Sequence, residues 1–279
     1  MLNIGEWNSL EVVKEVDFGL YLDGEQEGEI LLPRRYVPEG VEVGDTLDVF
    51  IYTDSEDRII ATTEKPLAQV GQLAALEVVA VNRIGAFLNW GLMKDLLVPY
   101  REQYAKLNKG DTALVYVYLD EESDRVVASC KLEKFMKDDP VVYEPGQQVE
   151  AWVADTTEIG YKMVVNMHTW GMLYKNEVFQ PLKIGDKVQV YVTKQREDNK
   201  LDLSLHKFGR EKIKDFADVL FDFLEAHEGF VPLTDKSPAE AIYDTFGVSK
   251  KVFKKGIGSL YKARKITITP EGLHLKREE

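Results

Sequence analysis

As far as His206 the chain alternates short apolar runs with turn residues, and beyond it apolar residues recur at the helical spacing of about 3.6. The pattern is plainest between residues 67 and 140. Leu73 to Val81, Ala86 to Asn89, Leu96 to Val98, Ala113 to Tyr118 and Val126 to Ser129 form five runs rich in Val, Leu and aromatic residues. Asn82, Gly91, Asn108-Lys109-Gly110-Asp111 and Asp120-Glu121-Glu122-Ser123-Asp124 interrupt them. Runs of this length between turn residues predict strands. Five strands in about 65 residues suit a small closed Greek-key barrel.

That layout occurs three times. The pairs Gly44-Asp45, Gly110-Asp111 and Gly185-Asp186 each follow an earlier glycine, Gly19, Gly85 or Gly160, by 25 residues. An apolar run comes after each pair, at Leu47 to Tyr52, Ala113 to Tyr118 and Val188 to Thr193. A closing strand then begins with a basic residue, at Arg58, Arg125 and Lys200. Self-similarity at a fixed period means one repeated module. The expected organisation is three tandem barrels of the oligonucleotide-binding (OB) fold at 1–66, 67–140 and 141–207, followed by a different domain at 208–279. The early glycines are expected where a barrel strand bends sharply or passes a neighbour, and the Gly-Asp pairs are expected to shape the fold rather than hold a ligand.

With Phe18-Gly19-Leu20-Tyr21, Gly44-Asp45 and the pair Asp54 and Arg58 in view, the module resembles the ribosomal S1-type RNA-binding domain. The resemblance implies an exposed aromatic platform beside a basic residue, on which bases of single-stranded RNA stack. Physically, every base offers a π-face, and stacking on an aromatic side chain is worth about 1–3 kcal/mol per base. The residues that match are Phe18, Tyr21 and Arg58 in the first module, and Phe87 and Arg125 in the second. In the third, Arg196 and Lys200 supply the charged positions at the closing strand, Lys162 stands at an aromatic position and Tyr174 at the histidine's, and Tyr161 and Trp170 are compensating aromatics. Leu32, Val98 and Tyr174 stand where the family has histidine, and Ile84 and Ile159 stand at Phe18's position. Phe18 and Tyr21 are three positions apart, so strand alternation puts them on opposite faces unless Gly19 breaks it.

In the last domain, Ile213, Phe216, Ala217, Leu220, Phe223 and Leu224 predict a first helix that Gly229 stops. Ser237-Pro238-Ala239-Glu240 reads as a capping box opening a second helix that ends at Gly247. Ser249 caps a third helix through about Lys265, and Ile266 to Leu275 reads as a hairpin. Three helices and a two-stranded wing make a winged helix. From Ser249 to Lys265 there are seven basic and no acidic residues. Lys250, Lys251, Lys254, Lys255, Lys262 and Lys265 fall within an arc of roughly 140°, opposite Phe253, Ile257 and Leu260. A face of one sign points to a phosphate backbone, since solvated faces usually mix signs. Lysines rather than arginines disfavour sequence-specific reading of duplex DNA.

Charge sharpens this division. The chain carries a net −13, but residues 1–66 hold −11 of it, while 207–279 alone are positive at +2. The acidic first module is suited to a basic protein partner or a spacer role as much as to RNA. A single cysteine, Cys130, fits a reducing compartment. No signal peptide or apolar span long enough for a bilayer is read, so a cytoplasmic location is expected. His168, His206, His227 and His274 are scattered without metal-ligand spacing, and no phosphate-binding loop or nucleophile elbow occurs. No enzyme activity, cofactor or metal is expected.

Three S1-type modules and a winged helix, ending in the run Gly247-Val248-Ser249-Lys250-Lys251-Val252-Phe253-Lys254-Lys255-Gly256-Ile257-Gly258, resemble the conserved virulence factor B family of Gram-positive bacteria, the YitL-like proteins. That resemblance implies RNA binding and post-transcriptional influence on gene expression, virulence genes included. The alternatives are a winged-helix regulator of duplex DNA, or an adaptor of the ribosome or RNA-decay machinery. Modest modules gain avidity when linked, so incomplete platforms suffice for the first reading.

Overall fold

The computed structural model describes residues 2–137, 141–175, 178, 182–205 and 210–276, with backbone alone for 210–215. Asp139 and Pro140, at the expected end of the second module, and His206 lie outside the described residues. Two compact units result, residues 1–136 and 137–279.

The first unit holds two barrels. Strands β1 (Trp7–Val16), β2 (Gly19–Asp23), β3 (Glu29–Pro33), β4 (Thr46–Thr53) and β5 (Ile59–Thr62) close in the order β1-β2-β3-β5-β4. The second barrel consists of β6 (Leu73–Val81), β7 (Gly85–Leu88), β8 (Leu96–Pro99), β9 (Thr112–Asp120) and β10 (Arg125–Ser129), closed in the equivalent order. In the second unit, β11 (Gln148–Thr156), β12 (Gly160–Val165), β13 (Thr169–Tyr174), β14 (Lys187–Gln195) and β15 (Leu201–Ser204) close a third barrel.

The repeated sequence marks perform the same work in each barrel. A β-carbon on Gly19, Gly85 or Gly160 would stand 2.2, 2.2 or 2.3 Å from the carbonyl oxygen of Leu32, Val98 or Leu173, so only glycine fits beside the third strand. Opposite, the first strand bulges after Val12, Val78 and Val153. The Gly-Asp pair clamps that bulge through both backbone groups of the valine. Gly44, Gly110 and Gly185 donate to the valine carbonyls at 2.8 Å, and the valine amides donate to Asp45, Asp111 and Asp186 carbonyls at 2.8 to 2.9 Å. Each Asp carboxylate also accepts an amide three residues back, from Glu42, Asn108 or Lys183. The glycines take φ of 98°, 90° and 89°, a region that disfavours side chains.

The first two barrels are one packed body. Val49 and Ile51 of β4 point into the first barrel, and Phe50 and Tyr52 are buried on its other face within the core of the second. Trp90 meets both rings edge-on, at 5.8 and 6.4 Å between centroids.

Near β10 a carboxylate is also buried: Glu102 accepts from Lys134 Nζ at 2.7 Å and from Ser129 Oγ at 2.6 Å. Burial alone would raise its pKa, but these bonds outweigh burial and hold it below the usual carboxylate range. Cys130 is its neighbour, and burial pushes that thiol up to about 12.

Beyond the third barrel come α1 (Arg210–Ala226), β16 (Phe230–Val231), α2 (Ala239–Phe246), α3 (Lys250–Lys262), β17 (Ile266–Ile268) and β18 (Leu273–Leu275). Phe216, Leu220, Ile242, Phe246, Phe253, Ile257 and Leu273 form the winged-helix core. Gly256 lets α1 approach α3, since a β-carbon there would meet the Phe216 ring at 2.5 Å. Three details differ from expectation. The wing has a third strand, β16, placed in the order β16-β18-β17, because Gly229 turns the chain back into the sheet. Ser237 does not cap α2; Pro238 takes the cap position and Ser237 Oγ accepts from the Thr234 amide at 2.9 Å. Finally, α3 ends at Lys262, since Arg264 adopts a left-handed φ of 61°.

Replacing Gly85 by Ala is expected to cost about 3 kcal/mol in chemical denaturation, because backbone, not a flexible side chain, must move. Glu102 sets an acid limit. Its depressed folded pKa contributes stability above the ordinary carboxylate value, lost as pH falls through the folded value. A melting series from pH 6 to 3 should fall more steeply for the wild type than for Glu102→Gln.

Candidate nucleic-acid interface

In the first barrel Phe18 precedes β2 and its carbonyl accepts from the Arg34 amide at 2.9 Å. The turn breaks strand alternation, so Phe18, 58% exposed, stands edge-on to Tyr21 with centroids 6.3 Å apart. Lys14 adds a cation 5.5 Å from the Tyr21 ring. Sequence reasoning missed Lys14, although it is the one lysine before Lys65 in an acidic module. Arg58 is engaged elsewhere, donating to Asp54 at 2.6 and 2.8 Å and pairing with Glu56 at 3.0 Å.

Phe87, half-buried, and Ile84, 51% exposed, line a cavity of about 330 Å³ on the second barrel together with Arg125. Ser55 and Asp57 of the first barrel line it too. Arg125 is ion-paired with Asp57, and Lys94 reaches Thr53 O at 2.8 Å and Asp54 O at 2.6 Å. Neither Lys94 nor Asp57 was readable as part of this face, since nothing in the sequence brings the β4–β5 turn to the neighbouring barrel.

Alternation decides the third barrel. Tyr161, Met163 and Val165 point inward with the core, and Lys162 points out. Tyr161 is thus corrected from a platform residue to a core residue; it is 6% exposed and its hydroxyl accepts from the Leu182 amide at 3.2 Å. Trp170 pairs in register with Val164, and Lys162 Nζ lies 3.8 Å from its ring centroid, a close cation–π contact. On the same strand face as Trp170, Tyr174 donates to Asp202 at 3.2 Å and accepts from Arg196 at 2.9 Å; Arg196 also binds Asp202 at 2.5 Å. Lys200 pairs with Asp198 in the adjoining turn.

On α3, Lys251, Lys254, Lys255 and Lys262 are exposed, and Lys250 is half-exposed, donating to Lys236 O at 3.3 Å. Lys254 has Asp235 at 3.9 Å; among the described residues Lys251, Lys255 and Lys262 have no ion-pair partner. No acidic residue occupies the first turn, so lysines sit at the positive end of the helix dipole without compensation. Lys265 leaves the stripe: beyond the end of α3, its ammonium lies 4.3 Å from the Phe221 ring centroid on α1. No group of three or more metal-ligating side chains occurs among the described residues. No described helix is long and apolar enough to cross a membrane.

Closed barrels with exposed rims and a lysine-faced winged helix define a multidomain protein of nucleic-acid-binding modules. A model of the S1 domain matches residues 4–64 and 70–131, and one of the CvfB-like winged helix domain matches 218–275. Conserved virulence factor B of Staphylococcus aureus strain bovine RF122 / ET3-1 is 28% identical over 255 residues, covering 83% of this chain and 82% of its own. Its counterpart in strain USA300 is 28% identical over 244 residues, covering 82% and 78%. A crystal structure of a multidomain protein with nucleic acid binding domains from Streptococcus pneumoniae TIGR4 covers 98% of both chains at 26% identity, with a TM-score of 0.46. The chain thus carries S1 domains and a CvfB-like winged helix domain, and over most of its length it is similar to conserved virulence factor B.

The division between rim and core is open to measurement. Tyr161→Ala is expected to cost about 3 kcal/mol, as for a truncated core aromatic. Phe18→Ala should stay within about 0.5 kcal/mol of wild type, as an exposed side chain does.

Proposed function

We propose that this chain is a non-catalytic single-stranded RNA-binding protein acting after transcription on gene expression, virulence genes included. The observation that carries the reading is the third barrel's outer face, where Lys162 lies over Trp170 and Tyr174 with Arg196 stands on the same side. An indole offers a base a stacking surface, and the neighbouring ammonium offers its phosphate a charge. The rim of Phe18, Tyr21 and Lys14 repeats the combination on the first barrel. The α3 stripe adds phosphate contacts without base selectivity. The name of the staphylococcal relatives supports the link to virulence. The working place of such a protein is the cytoplasm, with ribosomal or RNA-decay proteins as further partners.

A second reading, a regulator of duplex DNA, is favoured by one feature, the uncompensated lysines of α3. Fluorescence anisotropy with a single-stranded RNA 20-mer, titrated with salt and challenged with duplex DNA, separates the two. The RNA reading expects salt-dependent binding that duplex DNA competes poorly. Trp170→Ala should weaken it by about 1–3 kcal/mol. Changing Lys250, Lys251, Lys254 and Lys255 to Glu should flatten the salt slope. Absence of RNA binding at low salt would overturn the reading, and efficient competition by duplex DNA would favour the second.

A further inference from the structure

The basic residue expected to serve the second barrel already has an anionic partner from its neighbour. Asp57 lies in the turn between β4 and β5 with a left-handed φ of 63°, and its carboxylate pairs with Arg125. Lys94 holds the same turn in place, with Nζ donating to Thr53 O, Thr53 Oγ1 and Asp54 O at 2.8, 3.2 and 2.6 Å. Burial lowers the pKa of this ammonium, yet three oxygens surround it. The turn is therefore fixed over the second barrel. Beside the ion pair opens the cavity of about 330 Å³, walled by Ile84, Phe87 and Leu97. It combines an apolar wall that would take a base with a guanidinium that would take its phosphate. Carboxylate and phosphate oxygens satisfy a guanidinium through the same geometry.

We propose that Asp57 is an intramolecular stand-in for phosphate: it occupies Arg125 in the free protein, and a single-stranded RNA displaces it to seat a nucleotide against Phe87. The acidic turn of the first barrel then sets the affinity threshold of the second. This rests on the RNA reading above and gives that barrel's negative charge a purpose beyond solvation. Both partners of the pair are about half exposed, at 44% and 45%. Exchange of such an exposed pair is inexpensive, so the effect on affinity should be about two- to fivefold.

The test is anisotropy of the full chain with a fluorescent single-stranded RNA 20-mer, comparing wild type, Asp57→Asn, Arg125→Gln and the double variant. Asparagine tolerates the left-handed backbone. If its melting temperature nevertheless drops, Asp57→Gly provides a second uncharged variant with that freedom. We expect Asp57→Asn to bind about two- to fivefold tighter with the salt slope of the wild type, because Arg125 meets the same phosphate in both complexes. Arg125→Gln should weaken binding and abolish the effect of the Asp57 change. Wild-type binding with no gain, or a loss, in Asp57→Asn overturns the proposal and leaves the RNA reading standing. Failure of wild type and Asp57→Asn alike to bind at low salt overturns both.

Discussion

In every barrel the third strand passes the first residue of the second so closely that a carbonyl oxygen occupies the space of a β-carbon. Most of the architecture follows from this contact. The close approach closes the barrel within short strands, and it forces the residue before the glycine out of the strand. Phe18, Ile84 and Ile159, all at that place, are exposed by 58, 51 and 60%. The Gly-Asp clamp fixes the opposite side by tying down the bulge of the first strand. One constraint thus makes both the core and the rim.

This explains which parts were legible from residues alone. Glycine spacing and apolar runs specify strand positions directly, so the five strands of the second module emerge nearly residue for residue. Tyr161 was misread because an aromatic beside a platform position looks the same in sequence whichever way it points; only the register of β12 settles that. The shared core of the first two barrels did leave a trace. Val49-Phe50-Ile51-Tyr52 is an unbroken apolar run, as expected of a strand buried on both faces. Short β16 left no comparable sign, because two residues show no period. Asp54 beside Arg58 was visible, but the partner of Arg125 was not, since Asp57 comes from a turn distant in sequence.

Those partners change the electrostatic picture. Arg58, Arg125 and Arg196, one from each barrel, are all paired with carboxylates. Guanidinium groups therefore contribute less open positive potential to the rims than their number suggests. The cations over the rings of Tyr21 and Trp170 are lysines, Lys14 and Lys162, and the α3 stripe is lysine too. A compact ammonium on a flexible stem makes a point-charge contact with phosphate and does not demand a fixed planar geometry.

The aromatic junction of Phe50, Tyr52 and Trp90 has one more consequence. A tandem array ordinarily tolerates the removal of a member, because each member carries its own core. Here excising either of the first two barrels would leave large rings facing water on the survivor, a surface prone to self-association. The pair has ceased to be modular. The first barrel is thus retained by the folding of the second, whatever it binds.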